Sequence, residues 1–144
     1  MGPWTQPAAP GPVYCGGMAG GRRWADGGAE LRIGAGGARV PLEVAASWRA
    51  RTRGLLGRDG IAGGLLLTPA GSVHTFGMRF AIDVAYLDRD LRVLAVAAMA
   101  PGRLGLPRLR SRHVLEAEAG AMAAWGLAVG TRVAVVQPGP RAPG

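Results

Sequence analysis

Residues 72–90 form the segment SVHTFGMRFAIDVAYLDRD, which decides the fold class of the chain. Its apolar run at 82–87 is followed by a polar turn at 88–90 and by a second apolar run at 91–97. Two apolar runs joined by a short polar turn are typical of a β-hairpin. The hairpin is expected to place the middle of this segment in a protein core.

Short apolar stretches separated by turn residues recur on both sides of this hairpin. Alternating apolar residues at 31–33 and 40–44 flank a glycine-rich turn and predict another hairpin. Further strands are predicted at 65–68, 73–78, 114–119 and 132–136. The sequence therefore predicts a mainly β protein: a single compact β-sandwich or barrel-like domain of about eight short strands with one or two short helices.

A short helix is predicted after the hairpin at 31–44. Ser47 is a suitable N-cap, and Gly57 is expected to end the helix. One helical face is expected to carry Trp48, Thr52, Leu55 and Leu56. A further helical turn is predicted at 120–125.

Composition predicts three regions along the 144 residues. Residues 1–28 are expected to be a disordered Gly/Pro-rich tail, 29–137 the β domain, and 138–144 a disordered end. The single cysteine, Cys15, has no partner for an internal disulfide, which indicates a reducing compartment. No apolar run reaches the roughly 20 residues of a membrane span, and no signal-like segment is found. A cytoplasmic monomer is expected.

The chain is strongly basic, with a formal net charge of +8 and with arginine as its only basic residue besides histidine. Such a charge attracts phosphate polymers. However, the eight aromatic residues are scattered and form no base-stacking platform, so nucleic acid is not the expected partner. The loop at 103–112 carries four arginines and no acid. It is either a solvated connection or a contact for an anionic partner.

Four motifs in a fixed order resemble a known family. They are RTRGLLGR at 51–58, SVHTFGMRFAIDVAYLD at 72–88, VLEAEAG at 114–120 and WGLAVGTRV at 125–133. Together they resemble the family called domain of unknown function 192 over roughly residues 31–136. The resemblance implies a compact, mainly β, sandwich-like domain that occurs in exported and unexported proteins. It implies no particular reaction.

The family's recurrent positions map onto individual residues of this sequence. The resemblance implies importance for Arg53, Gly54, Leu55, Arg58, Met78, Asp83 and Glu116. Two departures from the family pattern affect turns. Ala81 stands where the family often has proline, and Thr131 stands where it usually has aspartate.

The predicted strand at 73–78 makes His74 a candidate site residue. His74 and Met78 would share one strand face with Phe76 and Phe80. A histidine among such neighbours is most simply a core residue hydrogen-bonded to the backbone, and the alternative is an acid–base group or a ligand. A copper site of His74 and Met78 is chemically conceivable, but neither a metal nor a cofactor is expected.

Two carboxyl groups in predicted strands are the other candidates. Asp83 lies inside an apolar run, so we expect its buried charge to be paired with an arginine, such as Arg53, Arg58 or Arg79. The alternative is a pocket carboxylate whose arginine partner grips an acidic ligand. Glu116 and Glu118 share one face of their strand. That face is either solvated or joins Glu116 to Asp83 in one cleft.

These residues predict a small non-catalytic binding or accessory module. Its polar cleft is expected to contain Arg53, Arg58, His74, Asp83 and Glu116, with Met78 beside them. The expected partner is a small anionic ligand or an acidic protein. No nucleophile elbow, phosphate loop or dinucleotide fingerprint is found. One alternative is a hydrolase or lyase for a small anionic or sugar-like substrate, with Asp83 or Glu116 as the base. A second is a nucleic-acid-associated basic protein.

Overall fold

The computed structural model describes residues 13–14 and 24–137. Most of the predicted tail, at 1–12 and 15–23, lies outside the described residues, as does the predicted end at 138–144. The first long strand begins at Gly27, two residues before the predicted start of the domain.

The described residues form eight strands and two short helices. In chain order these are β1 (Val13–Tyr14), β2 (Gly27–Ile33), β3 (Arg39–Ala45), α1 (Trp48–Arg53), β4 (Gly64–Leu67), β5 (Ile82–Leu87), β6 (Val93–Met99), β7 (His113–Glu118), α2 (Ala121–Ala124) and β8 (Val133–Val136). All the strands join one sheet in the order β1-β8-β2-β3-β4-β7-β5-β6, which curls into a half-barrel. The prediction of a single, mainly β domain is confirmed.

Strand direction follows from the connections. The β2–β3 and β5–β6 pairs are antiparallel hairpins at the predicted turns. β3 and β4 are parallel, because the chain crosses over through α1 before it returns to the sheet. Ser47 caps α1 as predicted, since its Oγ accepts a hydrogen bond from the Ala50 amide at 3.1 Å.

The helix α1 is shorter than the sequence predicts. It ends at Arg53, and Gly54, with a φ of 46°, stands at its C-terminus in place of Gly57. Because the helix ends early, the predicted apolar face does not form. Trp48 is 72% exposed, whereas Leu55 is buried beyond the helix end.

The strand predicted at 73–78 is also wrong. His74 forms only an isolated bridge with Leu104. Thr75 explains the irregular path, because it binds the following loop instead of a neighbouring strand. Its amide donates to the Arg103 carbonyl at 2.7 Å, and its hydroxyl donates to the Ala100 carbonyl at 2.7 Å.

The register of β5 against β7 divides the core into two faces. Asp83 lies opposite Ala117, and Val84 lies opposite Glu116. Opposed residues of an antiparallel pair point to the same side, and successive residues alternate. One side, the α2 face, buries Ala117 with Met122 of α2. The other, the α1 face, buries Val84 with the residues that follow α1. No helix in the described part of the chain is long and apolar enough to cross a bilayer.

Candidate functional site

A small cavity lies on the α1 face, between α1, the segment at 72–78 and β7. It encloses about 100 Å³, enough for several water molecules or a small ligand. Leu55, Leu67 and Met78 contribute apolar walls. The polar groups around it are Arg51, Thr52, Arg53, Ser72, His74 and Glu116. We call this cavity the Glu116 pocket.

Glu116 is the most unusual group of the pocket. Its side chain is 3% exposed, and among the described residues it forms neither a hydrogen bond nor an ion pair. Burial disfavours the ionised form and raises the pKa of Glu116 from 4.5 to about 7. Buried polar groups in proteins are nearly always hydrogen-bonded, so an unpaired carboxyl facing a cavity is typical of a binding or catalytic site.

Arg51 presents the complementary group. Its Nη1 donates to the Pro69 carbonyl at 3.0 Å, which fixes the side chain beside the pocket. Its Nε is buried and has no hydrogen-bond partner among the described residues. Arg53, at the last position of α1, lines the same cavity. Neither arginine forms an ion pair with Glu116 in the described part of the protein.

Asp83 does not belong to this pocket. It lies on the α2 face, where its Oδ2 accepts hydrogen bonds from the backbone amides of Gly120 at 2.9 Å and Met122 at 3.2 Å. These amides are the free donors at the start of α2. The expected arginine partner of Asp83 is therefore wrong, because the start of a helix provides the donors.

The arginines predicted to pair with Asp83 have other roles. Arg58 forms an ion pair with Glu43 at 2.9 Å, and Arg79 forms one with Asp59 at 3.2 Å. Both pairs are largely exposed. Arg58 lines a separate, more open groove with Arg53 and Arg49. The structure thus brings Arg53, His74, Met78 and Glu116 together, but places Arg58 and Asp83 elsewhere.

The core histidine is His113, and not His74 as predicted. His74 is exposed and stacks on Phe76 with 5.4 Å between the ring centroids. His113 is buried, and its Nδ1 lies 2.7 Å from the Thr68 hydroxyl. Burial lowers the pKa of His113 to about 4, so the ring is neutral at pH 7. The apolar run that follows His113 in the sequence was the available signal for its burial.

The sequence patterns did not indicate Arg51, Thr52 and Ser72 as pocket residues. Arg51 and Thr52 open the motif RTRGLLGR, and Ser72 opens the next motif. Their positions at the ends of motifs were a usable signal, but only the folded chain shows that the two motifs meet. Among the described residues, no group of three or more His, Cys, Asp or Glu side chains could hold a metal ion.

Comparison with known proteins identifies a family. The model of the family described as DUF192, Uncharacterized ACR, matches residues 30–135. A UPF0127 protein of Pyrococcus horikoshii is 39% identical over 49 residues, which cover 34% of this chain and 43% of that protein. The match thus spans less than half of that relative.

Two solved structures share the fold. A protein of unknown function from Novosphingobium aromaticivorans superposes with a TM-score of 0.63 at 21% identity, over 72% of this chain and 82% of the other. A Sinorhizobium meliloti protein, for which a role as a transcription regulator has been suggested, gives a TM-score of 0.66 at 18% identity. That match covers 78% of this chain and 96% of the other. At these identities the similarity shows the fold alone.

Proposed function

Since the chain belongs to the DUF192 family, whose name states no reaction, we propose that it is a small non-catalytic binding module and that its ligand occupies the Glu116 pocket. The ligand is a small anion that also carries a hydroxyl or amino group. The module acts as a cytoplasmic monomer. Sedimentation of the purified protein at the mass of one chain tests whether it is a monomer.

One observation carries this proposal: the pocket holds an unpaired carboxyl and an unpaired guanidinium nitrogen that do not satisfy each other. Glu116 has no partner, and neither does Arg51 Nε, among the described residues. The buried, unpaired Arg51 Nε costs roughly 1–3 kcal/mol. A ligand that accepts from Arg51 removes this cost on binding, and a donor group on the same ligand also provides Glu116 with a partner.

The charges around the pocket set the ligand class. Arg51 and Arg53 lie on one side and favour an anionic group, which a guanidinium binds through paired hydrogen bonds. Glu116, with a pKa of about 7, is protonated in part of the population near neutral pH. It can therefore accept from, or donate to, a hydroxyl group. The small volume limits the ligand to a few non-hydrogen atoms.

The experiment is a titration of the full chain followed by backbone-amide NMR. The probes are lactate and glycolate, with acetate as an anion that lacks the hydroxyl group and methylammonium as a cation. The hydroxy acids are expected to shift the amide signals of residues 51–54, 72–74 and 116. Acetate should bind about tenfold more weakly, because it leaves Glu116 unpaired.

Matched variants test the assignment of residues. Glu116→Leu and Arg51→Gln are expected to abolish the shifts. Glu118→Gln, an exposed position on the same strand, and Arg49→Gln, an exposed arginine of α1, should leave them unchanged. Shifts that persist in Glu116→Leu, or that appear equally with methylammonium, would contradict the proposal.

One observation favours the alternative of an enzyme. A carboxyl whose pKa is about 7 is suited to general acid–base catalysis near neutral pH. In a hydrolase or lyase, Glu116 would be the base and Arg51 would stabilise the developing negative charge. Proton NMR spectra of O-acetylglycolate, which has an ester bond to hydrolyse, and of lactate, which can lose water, recorded over a day with the protein, distinguish the two functions. Loss of probe signals with the wild type but not with Glu116→Gln would establish catalysis.

A further inference from the structure

The loop at 103–112 exposes an unusual set of apolar side chains. Leu104 is 70% exposed, Leu106 is 77% exposed and Leu109 is 95% exposed. Phe76, next to the bridge between His74 and Leu104, is 52% exposed. Scattered single apolar residues are ordinary on a surface, but three exposed leucines within six residues, with an exposed phenylalanine in the segment paired to them, indicate an interaction site.

The loop is fixed to the domain by its backbone. The Gly105 amide donates to the Val73 carbonyl at 2.8 Å, and the Arg108 amide donates to the Gly71 carbonyl at 3.0 Å. Gly105 itself is buried, and a Cβ there would lie 2.6 Å from the Tyr86 hydroxyl. Since Gly105 faces inward, Leu104 and Leu106 on either side of it face outward. Backbone hydrogen bonds therefore fix the loop that carries the exposed leucines.

Arginines alternate with these leucines, and the loop contains no acid. The four are Arg103, Arg108, Arg110 and Arg112. Arg108 stacks over the Tyr86 ring at 5.0 Å, and Arg112 donates to the Leu109 carbonyl at 3.1 Å. The open groove beside Leu109 is lined by Arg89, Arg110 and Arg112 and also by Asp88 and Asp90, so three arginines there outnumber two acids and the net charge stays positive.

We propose that this leucine–arginine loop docks the protein on a membrane surface that carries anionic phospholipids. The leucines enter the boundary between headgroups and acyl chains, and the arginines bind the phosphates. Apolar insertion combined with basic residues is the pattern by which soluble domains attach to the interface without spanning the bilayer. None of the residues 103–112 lines the Glu116 pocket, although Leu104 pairs with His74 at the edge of that pocket.

The shape of the surface favours lipid over a folded protein partner. A folded partner must offer a shaped pocket for each protruding leucine, whereas a bilayer accommodates any protruding apolar side chain. The groove next to Leu109 is lined by charged residues and offers no apolar cleft for a partner's side chain. Charge complementarity then selects anionic headgroups over neutral ones.

The test is co-sedimentation of the full chain with vesicles of phosphatidylcholine alone or mixed with phosphatidylglycerol. Binding is expected only to the mixed vesicles and should weaken as salt is added. Leu104→Ser/Leu106→Ser/Leu109→Ser should lower the binding constant at least about tenfold. Arg103→Gln/Arg110→Gln should lower it about 25-fold, from about fivefold for each charge.

Two control variants separate the loop from general surface properties. Arg39→Gln/Arg49→Gln removes the same charge from other exposed positions, and Val96→Ser/Val129→Ser removes exposed apolar groups elsewhere. Both are expected to bind mixed vesicles within about twofold of the wild type, since the lost groups are not in the loop. Thermal unfolding of every variant verifies that it is folded.

Several outcomes would overturn the proposal. The first is an absence of sedimentation with either vesicle. The second is binding that the triple leucine variant retains, since that would reflect charge alone. The third is equally tight binding to a DNA duplex or to polyglutamate without dependence on the leucines, which would show a general polyanion surface. Equal losses in the control variants would also overturn it.

Discussion

Asp83 and Glu116 are two buried carboxyl groups on neighbouring strands, but their hydrogen-bonding surroundings differ. Asp83 faces the α2 side and accepts two backbone amides at the start of α2. Glu116 faces the α1 side, where it borders a cavity without a hydrogen-bond partner among the described residues. These two buried acids therefore differ in whether the protein provides hydrogen-bond donors for their carboxyl oxygens.

This difference teaches how a structural acid is told from a functional one. Burial alone does not decide, because both side chains are less than a tenth exposed. The decisive feature is whether donors of the scaffold already occupy the oxygens. Asp83 therefore stabilises the position of α2, whereas the unsatisfied Glu116 is available to a ligand.

The largest expected effect tests the structural half of the comparison. Asp83→Ala leaves the amides of Gly120 and Met122 without an acceptor and is expected to lower the free energy of unfolding by about 3 kcal/mol. Urea denaturation at pH 7 measures it. Asp59→Ala, which removes an exposed acid, should change stability by less than about 0.5 kcal/mol. An unchanged midpoint in Asp83→Ala would break the comparison.

The next-largest expected effect concerns Glu116, the carboxyl without a hydrogen-bond partner among the described residues. Burial raises the pKa of Glu116 to about 7, against 4.5 for an ordinary glutamate. Between these values the folded state holds a proton that the unfolded state has lost, so this group lowers the stability of the wild type as pH rises from 4.5 to 7. Glu116→Gln is therefore expected to be more stable than the wild type by about 2 kcal/mol at pH 8.

The pH dependence separates this effect from other titrating groups. The gain in Glu116→Gln should shrink as pH falls and disappear near pH 4.5. His113 changes stability in the opposite direction. Its pKa is lowered from 6.5 to about 4, so the stability that the neutral ring provides is lost as pH falls between those values. His113 contributes equally to the variant and to the wild type, so its effect cancels when their free energies of unfolding are subtracted. Glu118→Gln is the matched control, and a gain there of equal size would contradict the assignment to Glu116.

The smallest effect concerns the helix above the pocket. Ser47 caps α1 through the Ala50 amide, so Ser47→Ala is expected to cost about 1 kcal/mol. Hydrogen exchange of the amides at 50–53 should quicken, while exchange at the start of α2 stays unchanged. Equal acceleration at both helices would show that the two faces are not independent.

Much of the fold could be predicted from the sequence because the signals that specify it are local. The polar turn at 88–90 lies between two apolar runs, and the structure has β5 and β6 there. Ser47 precedes a helix and caps it. The errors arose where distant groups decide the outcome. Thr75 binds the carbonyls of Ala100 and Arg103 in the following loop instead of a neighbouring strand, and Trp48, predicted to lie on an apolar helix face, is exposed.

The candidate site was recovered in part for the same reason. Motif positions selected Arg53, Met78 and Glu116, and the predicted strand at 73–78 selected His74; all four line one pocket. The motif positions also selected Asp83, whose partners lie 37 and 39 residues away in the sequence. No local pattern shows that a helix start will supply these donors. A buried acid in a strand predicted the need for a partner correctly, and predicted its identity wrongly.

By itself, the sequence determined the mainly β class, the hairpins, the capped helix and the membership of a family, because alternation, turn residues and motifs act over a few neighbours. The tertiary structure alone decided which carboxyl is satisfied. The pairing of β5 with β7 places Asp83 opposite Ala117 and Val84 opposite Glu116. A shift of one residue would exchange the faces, since side chains alternate along a strand, and that register depends on the packing of the whole sheet.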